Sequence, residues 1–341
     1  MTDLESLPPV LRHLNDQQAP SVALDADEGS NLTLDEALDP LPIIDLQSLN
    51  HDDGKNNLDE ACKNWGLFRV VNHGIPPTLL SQLHEQAKQV FSLSYKDKQS
   101  CCDGSPVNYF WSNPALTPSG TAVTSEYQSP NLFEAFNVPL PQLSQFQPQL
   151  PVIESFRILL VEYGNHLSRI ATTLFEAMVK NLDLKLEPSK SYLDNNTGFL
   201  RVYRYPQSSN PDAGLGMEVH TDSSVLTILN QEDIVSGLQV LKDDQWLGVK
   251  PISNTLIVNI GDLTQAMSDD RYKSAVHRVK VNKQKERVSM GYFVFTGDGV
   301  EIKSSKYKPF TYDEFRAQVQ QDVKDHGTKI GLARFNRTEE S

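Results

Sequence analysis

A chain of 341 residues is long enough for one large core or two domains, and its pattern favours one catalytic domain with a dependent N-terminal part. The formal net charge of -13 at pH 7, with lysines and arginines scattered, argues against nucleic acid or an anionic membrane as partner and for a small-molecule substrate. Three cysteines, Cys62 and the adjacent Cys101 and Cys102, are too few and too badly spaced for a disulfide framework or a zinc knuckle, and read as reduced thiols of a cytoplasmic, or partly nuclear, protein.

Residues 1–40 are rich in Asp, Glu, Ser and Asn and read as a flexible arm, with no basic-then-apolar leader in MTDLESLPPV. No later stretch approaches a membrane span. Folding is expected to start at Leu41, where LPIIDL makes a short strand before the polar cluster Asn50–Asn57. A helix over Leu58–Asn64, a turn at Trp65-Gly66 and a strand LFRVVNH stopped by Gly74 follow. Between Thr78 and Leu93, Leu79, Leu80, Leu83, Ala87, Val90 and Phe91 recur at helical spacing, so one face must pack on something.

The Pro-, Ser- and Asn-rich segment 100–151 reads as long connections, and such loops commonly form lids or pocket walls. Its aromatics Tyr109, Phe110, Trp111, Tyr127, Phe133 and Phe136 are candidates for a substrate wall or for anchoring the loop to the core. A long helix from about Pro151 to Asn181 completes an N-terminal α/β region, residues 41–195, that packs on the core. Residues 196–326 then change to serial short β-runs, FLRVYRY, SSVLTIL, GLQVL, WLGVK, TLIVNI, AVHRVKV and RVSMGYFVF, the signature of a sandwich or barrel. A last helix is expected over Tyr312–His326, followed by a fraying tail, residues 327–341.

The chemistry is concentrated in the second half. In MEVHTDSSVLTIL, His220 and Asp222 lie two apart, and on a strand both would point to one face. Such a pair is weak alone, because His and Asp near a turn are usually solvated or capping groups. His277, opening a Val-rich run, supplies a third ligand, and two His with one carboxylate form the facial triad of non-haem Fe(II) oxygenases. In RVSMGYFVF, alternation puts Arg287, Ser289, Gly291, Phe293 and Phe295 on one face. If that face is interior, the guanidinium needs an anionic partner, and a ligand carboxylate would satisfy it with help from the Ser289 hydroxyl. Tyr205 alternates with Tyr203 and Arg201 and can hydrogen-bond the same ligand, or only cover the barrel mouth.

LPIIDL, ACKNWGLFRVVNHGIP, the HTD triplet, the NIGDLTQAMSDDRYKSAVHRV run and RVS together resemble the plant soluble class of 2-oxoglutarate- and Fe(II)-dependent dioxygenases, over about residues 41–326. That class includes gibberellin oxidases, flavonoid oxygenases and the related ethylene-forming oxidase. The resemblance implies a mainly β fold, a double-stranded β-helix (jelly roll) with flanking helices. It also implies iron held by His220, Asp222 and His277, with Arg287 and Ser289 on the distal carboxylate of 2-oxoglutarate and Tyr205 at its other end. O2 is then the second co-substrate and ascorbate the expected reductant. The chain departs from the family at Tyr203, where relatives commonly carry Asn, and at Arg204, where they often carry His or Tyr.

The expected reaction is hydroxylation or desaturation of a small apolar plant metabolite, with a gibberellin-type diterpenoid acid, hence hormone metabolism, as first choice. A phenylpropanoid, a flavonoid or another hormone is the rival. Tyr203, Phe293, Phe295 and Phe133 are the candidate substrate walls, and Arg204 or a loop cation is the candidate partner of a substrate carboxylate. A metal-containing jelly roll that binds without turnover, or a zinc hydrolase, would use the same three ligands. A monomer is expected.

Overall fold

Strand alternation sorts the second half of the chain into an inward and an outward set, and the architecture follows from where each set is buried. The computed structural model describes residues 4–12, 39–113, 131–187, 189–208, 214–232 and 234–337. The strands of its two large sheets are β1 (Ile43–Asp45), β2 (Leu67–Val71), β3 (Asn108–Trp111), β4 (Glu134–Pro139), β5 (Asp194–Tyr205) and β6 (Leu215–His220). They continue with β7 (Leu226–Gln231), β8 (Leu238–Lys242), β9 (Gln245–Gly248), β10 (Leu256–Ile260), β11 (His277–Lys280) and β12 (Arg287–Phe295). One sheet runs β1-β2-β10-β7-β12-β5-β4-β3 and the other β6-β11-β8-β9. The segments β10-β7-β12-β5 and β6-β11-β8-β9 face one another as a double-stranded β-helix, the expected jelly roll.

The interior between the sheets is built from Tyr203, Tyr205, Met217, Leu238, Val240, Ile257 and Val279. On the opposite face of the large sheet, Val202, Val288, Met290, Tyr292 and Val294 join a second core with the helices Pro77–Ser92 and Pro151–Leu182. The period-two reading of β12 therefore holds from Arg287 to Val294, while Phe295, beyond a register shift, also joins the second core. Residues 41–195 add β1 and β2 beyond β10, and β3 and β4 beyond β5, so this region extends the catalytic sheet. Among the described residues no helix is long and apolar enough to cross a membrane.

Three stretches differ from expectation. The helix expected from Leu58 spans Asp52–Asn64 and begins six residues earlier, inside the polar cluster. Asp52 and Asp53 favour its N-terminal dipole, and its polar residues lie on the solvent side. Residues 4–12 of the arm are packed: Leu7 and Leu11 are buried with Leu132, and Ser6 contacts Lys98 and Arg204. After the Tyr312–His326 helix, whose C-cap is Gly327, residues 327–337 stay packed. The chain returns to the molecule through Lys329 and the 3-10 turn Gly331–Phe335.

Candidate active site

The metal-ligand candidates meet at the open end of the barrel. His277 opens β11 directly opposite His220, the last residue of β6, and their ring centroids are 4.2 Å apart. Asp222 is not on a strand with His220, as the two-residue spacing suggested. It lies in the loop before β7, held because its carbonyl accepts from the Asp262 N–H at 2.8 Å. Gly261 makes that approach possible, since a Cβ there would sit 1.8 Å from the Ser224 carbonyl oxygen. The two Nε2 atoms are each 3.8 Å from Asp222 Oδ1, and one ligand atom from each residue lies within 4.8 Å of the others.

Each group is oriented by a second contact. Nδ1 of His220 is 2.7 Å from the Glu218 carbonyl and Nδ1 of His277 is 3.0 Å from the Ala275 carbonyl. A carbonyl only accepts, so both Nδ1 atoms carry hydrogen and both Nε2 lone pairs face the centre. Asp222 Oδ2 accepts from Asn259 Nδ2 at 3.0 Å, which leaves Oδ1 toward the centre. Desolvation, helped by neighbouring His277, pushes the His220 imidazole down to about 3, so it is neutral and able to ligate. Burial pushes the Asp222 carboxyl up, but His277 and His220, with hydrogen bonds from Thr227 and Asn259, hold it below its ordinary range. Two imidazoles and one carboxylate are a donor set suited to a divalent iron.

Deeper in the same cavity, of about 980 Å³, lies Arg287, 1% exposed. Its Nη1 donates to Ser289 Oγ at 3.2 Å and its Nη2 to Gln231 Oε1 at 3.1 Å, while Nε has no hydrogen-bond partner. The Tyr205 ring lies 5.3 Å from the guanidinium carbon, and Gly216 leaves room for that ring, since a Cβ there would fall 2.7 Å from it. Burial lowers the Arg287 pKa, with Tyr205 and Glu232 acting the other way. Among the described residues, no carboxylate makes an ion pair with it. A buried cation with a spare donor calls for an anionic ligand.

Two family models match in tandem, the N-terminal region of the non-haem dioxygenases (described from morphine synthesis) over residues 41–149 and the 2OG-Fe(II) oxygenase superfamily over 196–296. Gibberellin 2-beta-dioxygenase 5 of Oryza sativa subsp. japonica is 35% identical, over 98% of this chain and 97% of its own. The chain belongs to the 2-oxoglutarate- and Fe(II)-dependent dioxygenases. Jasmonate-induced oxygenase 2 of Arabidopsis thaliana is 33% identical over 81% of this dioxygenase and 78% of itself. The crystal structure of JOX2 in complex with 2OG, Fe and JA superposes with a TM-score of 0.71 at 28% identity, covering 87% of this chain and 89% of that one. Membership sets aside the zinc hydrolase and the binder without turnover.

The dioxygenase brings most of the expected site residues to one cavity. Its wall includes Tyr203, Tyr205, Phe293 and Phe295 together with the three metal-ligand candidates, Arg287 and Ser289. Phe133 is not on that wall: it is fully buried behind the tyrosines, 5.3 Å from the Tyr203 ring and 6.3 Å from that of Tyr205. Phe136 belongs to the helix-side core, Tyr109 and Trp111 cluster with Tyr95, and Tyr127 lies outside the described residues. Arg204 is not available to a substrate either. Alternation turns it to the outer face of β5, where its Nε is 2.7 Å from Glu134 and its Nη1 donates to the Phe91 carbonyl at 2.8 Å.

A cation that does face the cavity, besides Arg287, is Arg201, on the inward set of β5. Its guanidinium lies 5.1 to 5.7 Å from the rings of Phe199, Phe110 and Phe293, with Nε donating to Asn137 Oδ1. Its alternation with Tyr203 and Tyr205 was the available signal. Asn259, a polar residue inside the apolar run TLIVNI, carried one too. Lys329, whose ammonium reaches the loop carrying Asp222, carried none.

Proposed function

We propose that this dioxygenase hydroxylates or desaturates a small, largely apolar carboxylic acid, with a gibberellin-type diterpenoid acid as the first choice. The observation that carries the reading is the separation of two inward arginines in one cavity: Arg287 beside Ser289 and Tyr205, and Arg201 set among Phe110, Phe199 and Phe293. One clamp suffices for the co-substrate, so the second, ringed by aromatics, suits an acid with a hydrocarbon body. Similarity to gibberellin 2-beta-dioxygenases at 35% and 36% identity supports the diterpenoid choice.

In this reading His220, Asp222 and His277 hold Fe(II) through Nε2, Oδ1 and Nε2. Arg287 and Ser289 take the distal carboxylate of 2-oxoglutarate, and the protonated Tyr205 phenol donates a hydrogen bond to the co-substrate. When bound, Fe(II) with 2-oxoglutarate and O2 supplies oxidation of an unactivated C–H bond, with release of succinate and CO2. Arg201 anchors the substrate acid, Tyr203 and Phe293 bear on its hydrocarbon part, and together they fix which carbon lies nearest the triad.

A second reading, a smaller carboxylated hormone, draws support from the likeness to JOX2 bound to JA and to a rice dioxygenase for auxin oxidation, TM-score 0.69 at 25% identity over 87% of this chain and all of that one. Substrate-dependent succinate release, with mass spectrometry of the products, separates these from a flavonoid. The diterpenoid choice predicts turnover of gibberellin-type acids and little turnover of their methyl esters. Preferred turnover of jasmonate- or auxin-type acids moves the choice to the second reading, and preferred turnover of an uncharged flavonoid overturns both.

A further inference from the structure

Three carbonyls of the loop 221–224 that carries Asp222 are held from outside. The Asp222 carbonyl accepts from Asp262 N at 2.8 Å and the Ser224 carbonyl from Leu263 N at 3.2 Å. The Thr221 carbonyl, on the peptide joining the His220–Thr221 pair to Asp222, accepts from Lys329 Nζ at 2.6 Å. The same ammonium is 3.1 Å from Ser223 Oγ and 2.7 Å from Asp262 Oδ2. An ammonium has three N–H donors, and here three acceptors from two separate elements use them all. The ion pair is largely dry, with side-chain exposures of 13% for Lys329 and 4% for Asp262.

The segment bearing Lys329 is fixed on both sides. Before it, Gly327 closes the Tyr312–His326 helix in the left-handed region. After it, Ile330 N and Arg334 Nε both donate to the buried Asp322, at 3.3 and 2.9 Å. The ammonium is thus delivered to the metal-ligand loop from a segment 108 residues away.

We infer that Lys329 is a positioning residue for the metal centre, setting the orientation of the Thr221–Asp222 peptide and hence of Asp222 against His220 and His277. The inference rests on the ligand assignment proposed above. Without the ammonium, the Thr221 carbonyl and Ser223 hydroxyl lose their donor, and Asp262 keeps a buried carboxylate without its countercharge. The loop then relaxes where the carboxylate ligand is attached. Partners of this kind, which hold a ligand without touching the ion, typically change metal affinity about 10- to 100-fold.

The test is titration of the full chain with Co(II) alone, read by its visible absorption, beside thermal unfolding of the metal-free chain. Lys329→Met weakens Co(II) binding about 10-fold or more, and Lys329→Arg, which keeps the charge, recovers part of the loss. Co(II) affinity within about twofold of wild type in folded Lys329→Met, whatever its Tm, overturns the inference. If Lys329→Met does not fold, Lys329→Gln is read by the same criterion. Asp222→Ala separates the two layers: unchanged Co(II) binding in that variant sinks the ligand assignment itself. Loss of binding there with retention in the Lys329 variant sinks only the role of Lys329.

Discussion

Arg287 and Arg201 are both inward on adjacent strands, yet their surroundings assign them different work. Arg287 is buried with Ser289 and Gln231 as neutral partners and a spare Nε, so Arg287→Ala removes the charge that a dicarboxylate would meet. A charge-assisted contact of about 1.5–3 kcal/mol corresponds to a rise of roughly 10- to 100-fold in the KM for 2-oxoglutarate, measured by succinate formation. An unchanged KM would mean that another cation holds the co-substrate. Arg201 contacts Asn137 and Tyr203 and lies over aromatic rings, so Arg201→Gln keeps the hydrogen bond to Asn137 and removes the charge. The expected result is a substrate KM raised about 10-fold or more with the 2-oxoglutarate KM within about twofold. Equal effects on both constants would deny the separation of the two sites.

At the level of elements, the metal-ligand loop exists because a strand end, a second strand and a short helix close on one another. Gly261, the N-cap of the Asp262–Met267 helix, is the point of closest approach, and any side chain there meets the Ser224 carbonyl. Gly261→Ala therefore has to push loop and helix apart. Overpacking of this kind costs about 1–3 kcal/mol, so Tm of the metal-free chain falls by roughly 1–4 °C. A Tm equal to wild type would show that the loop can move away freely. The 12-residue β5 makes a related point, since its outward residues serve the helix-side core and its inward residues the cavity. One strand thereby places Tyr203 and Tyr205 at the site and Arg204 in an internal ion pair.

Across the whole molecule, that ion pair links the start of the chain to the catalytic sheet. Glu134, fully buried, is paired with Arg204 and Lys98 and accepts from the Tyr109 hydroxyl, while Lys98 also donates to the Ser6 carbonyl. Burial outweighs the attraction of Glu134 and lowers the Lys98 pKa to about 8 from an ordinary value of 10.5. The unfolded chain therefore binds more protons than the folded one between pH 8 and 10.5, and this group makes the protein more stable as pH rises through that interval. Tyr109, pushed far up by burial, opposes the trend only above its ordinary value of 10.0. Between pH 8 and 10 the wild type should gain stability relative to Lys98→Met in denaturant titrations. A difference flat with pH would show that Lys98 does not release its proton in the folded state.

By itself the amino-acid sequence determined the alternating inward face of β12, the helical stripes of the Pro77–Ser92 and Pro151–Leu182 helices, and the trio His220, Asp222 and His277. The face and the stripes are written in short-range spacing, where a period of 2.0 or 3.6 fixes the direction of a side chain, whereas the trio was nominated by residue type and motif. The family resemblance rested on the same local motifs. What the tertiary structure decided were relations between distant segments. It moved Asp222 from a strand into a tethered loop, Phe133 from the cavity wall to a place behind it, and Arg204 into a pair with Glu134. It also carried Lys329 from an expected fraying tail to the Thr221 carbonyl. Spacing along the chain orients a side chain relative to its own element, but its partner is set by which other element arrives there, and that depends on how both sheets close around a shared interior.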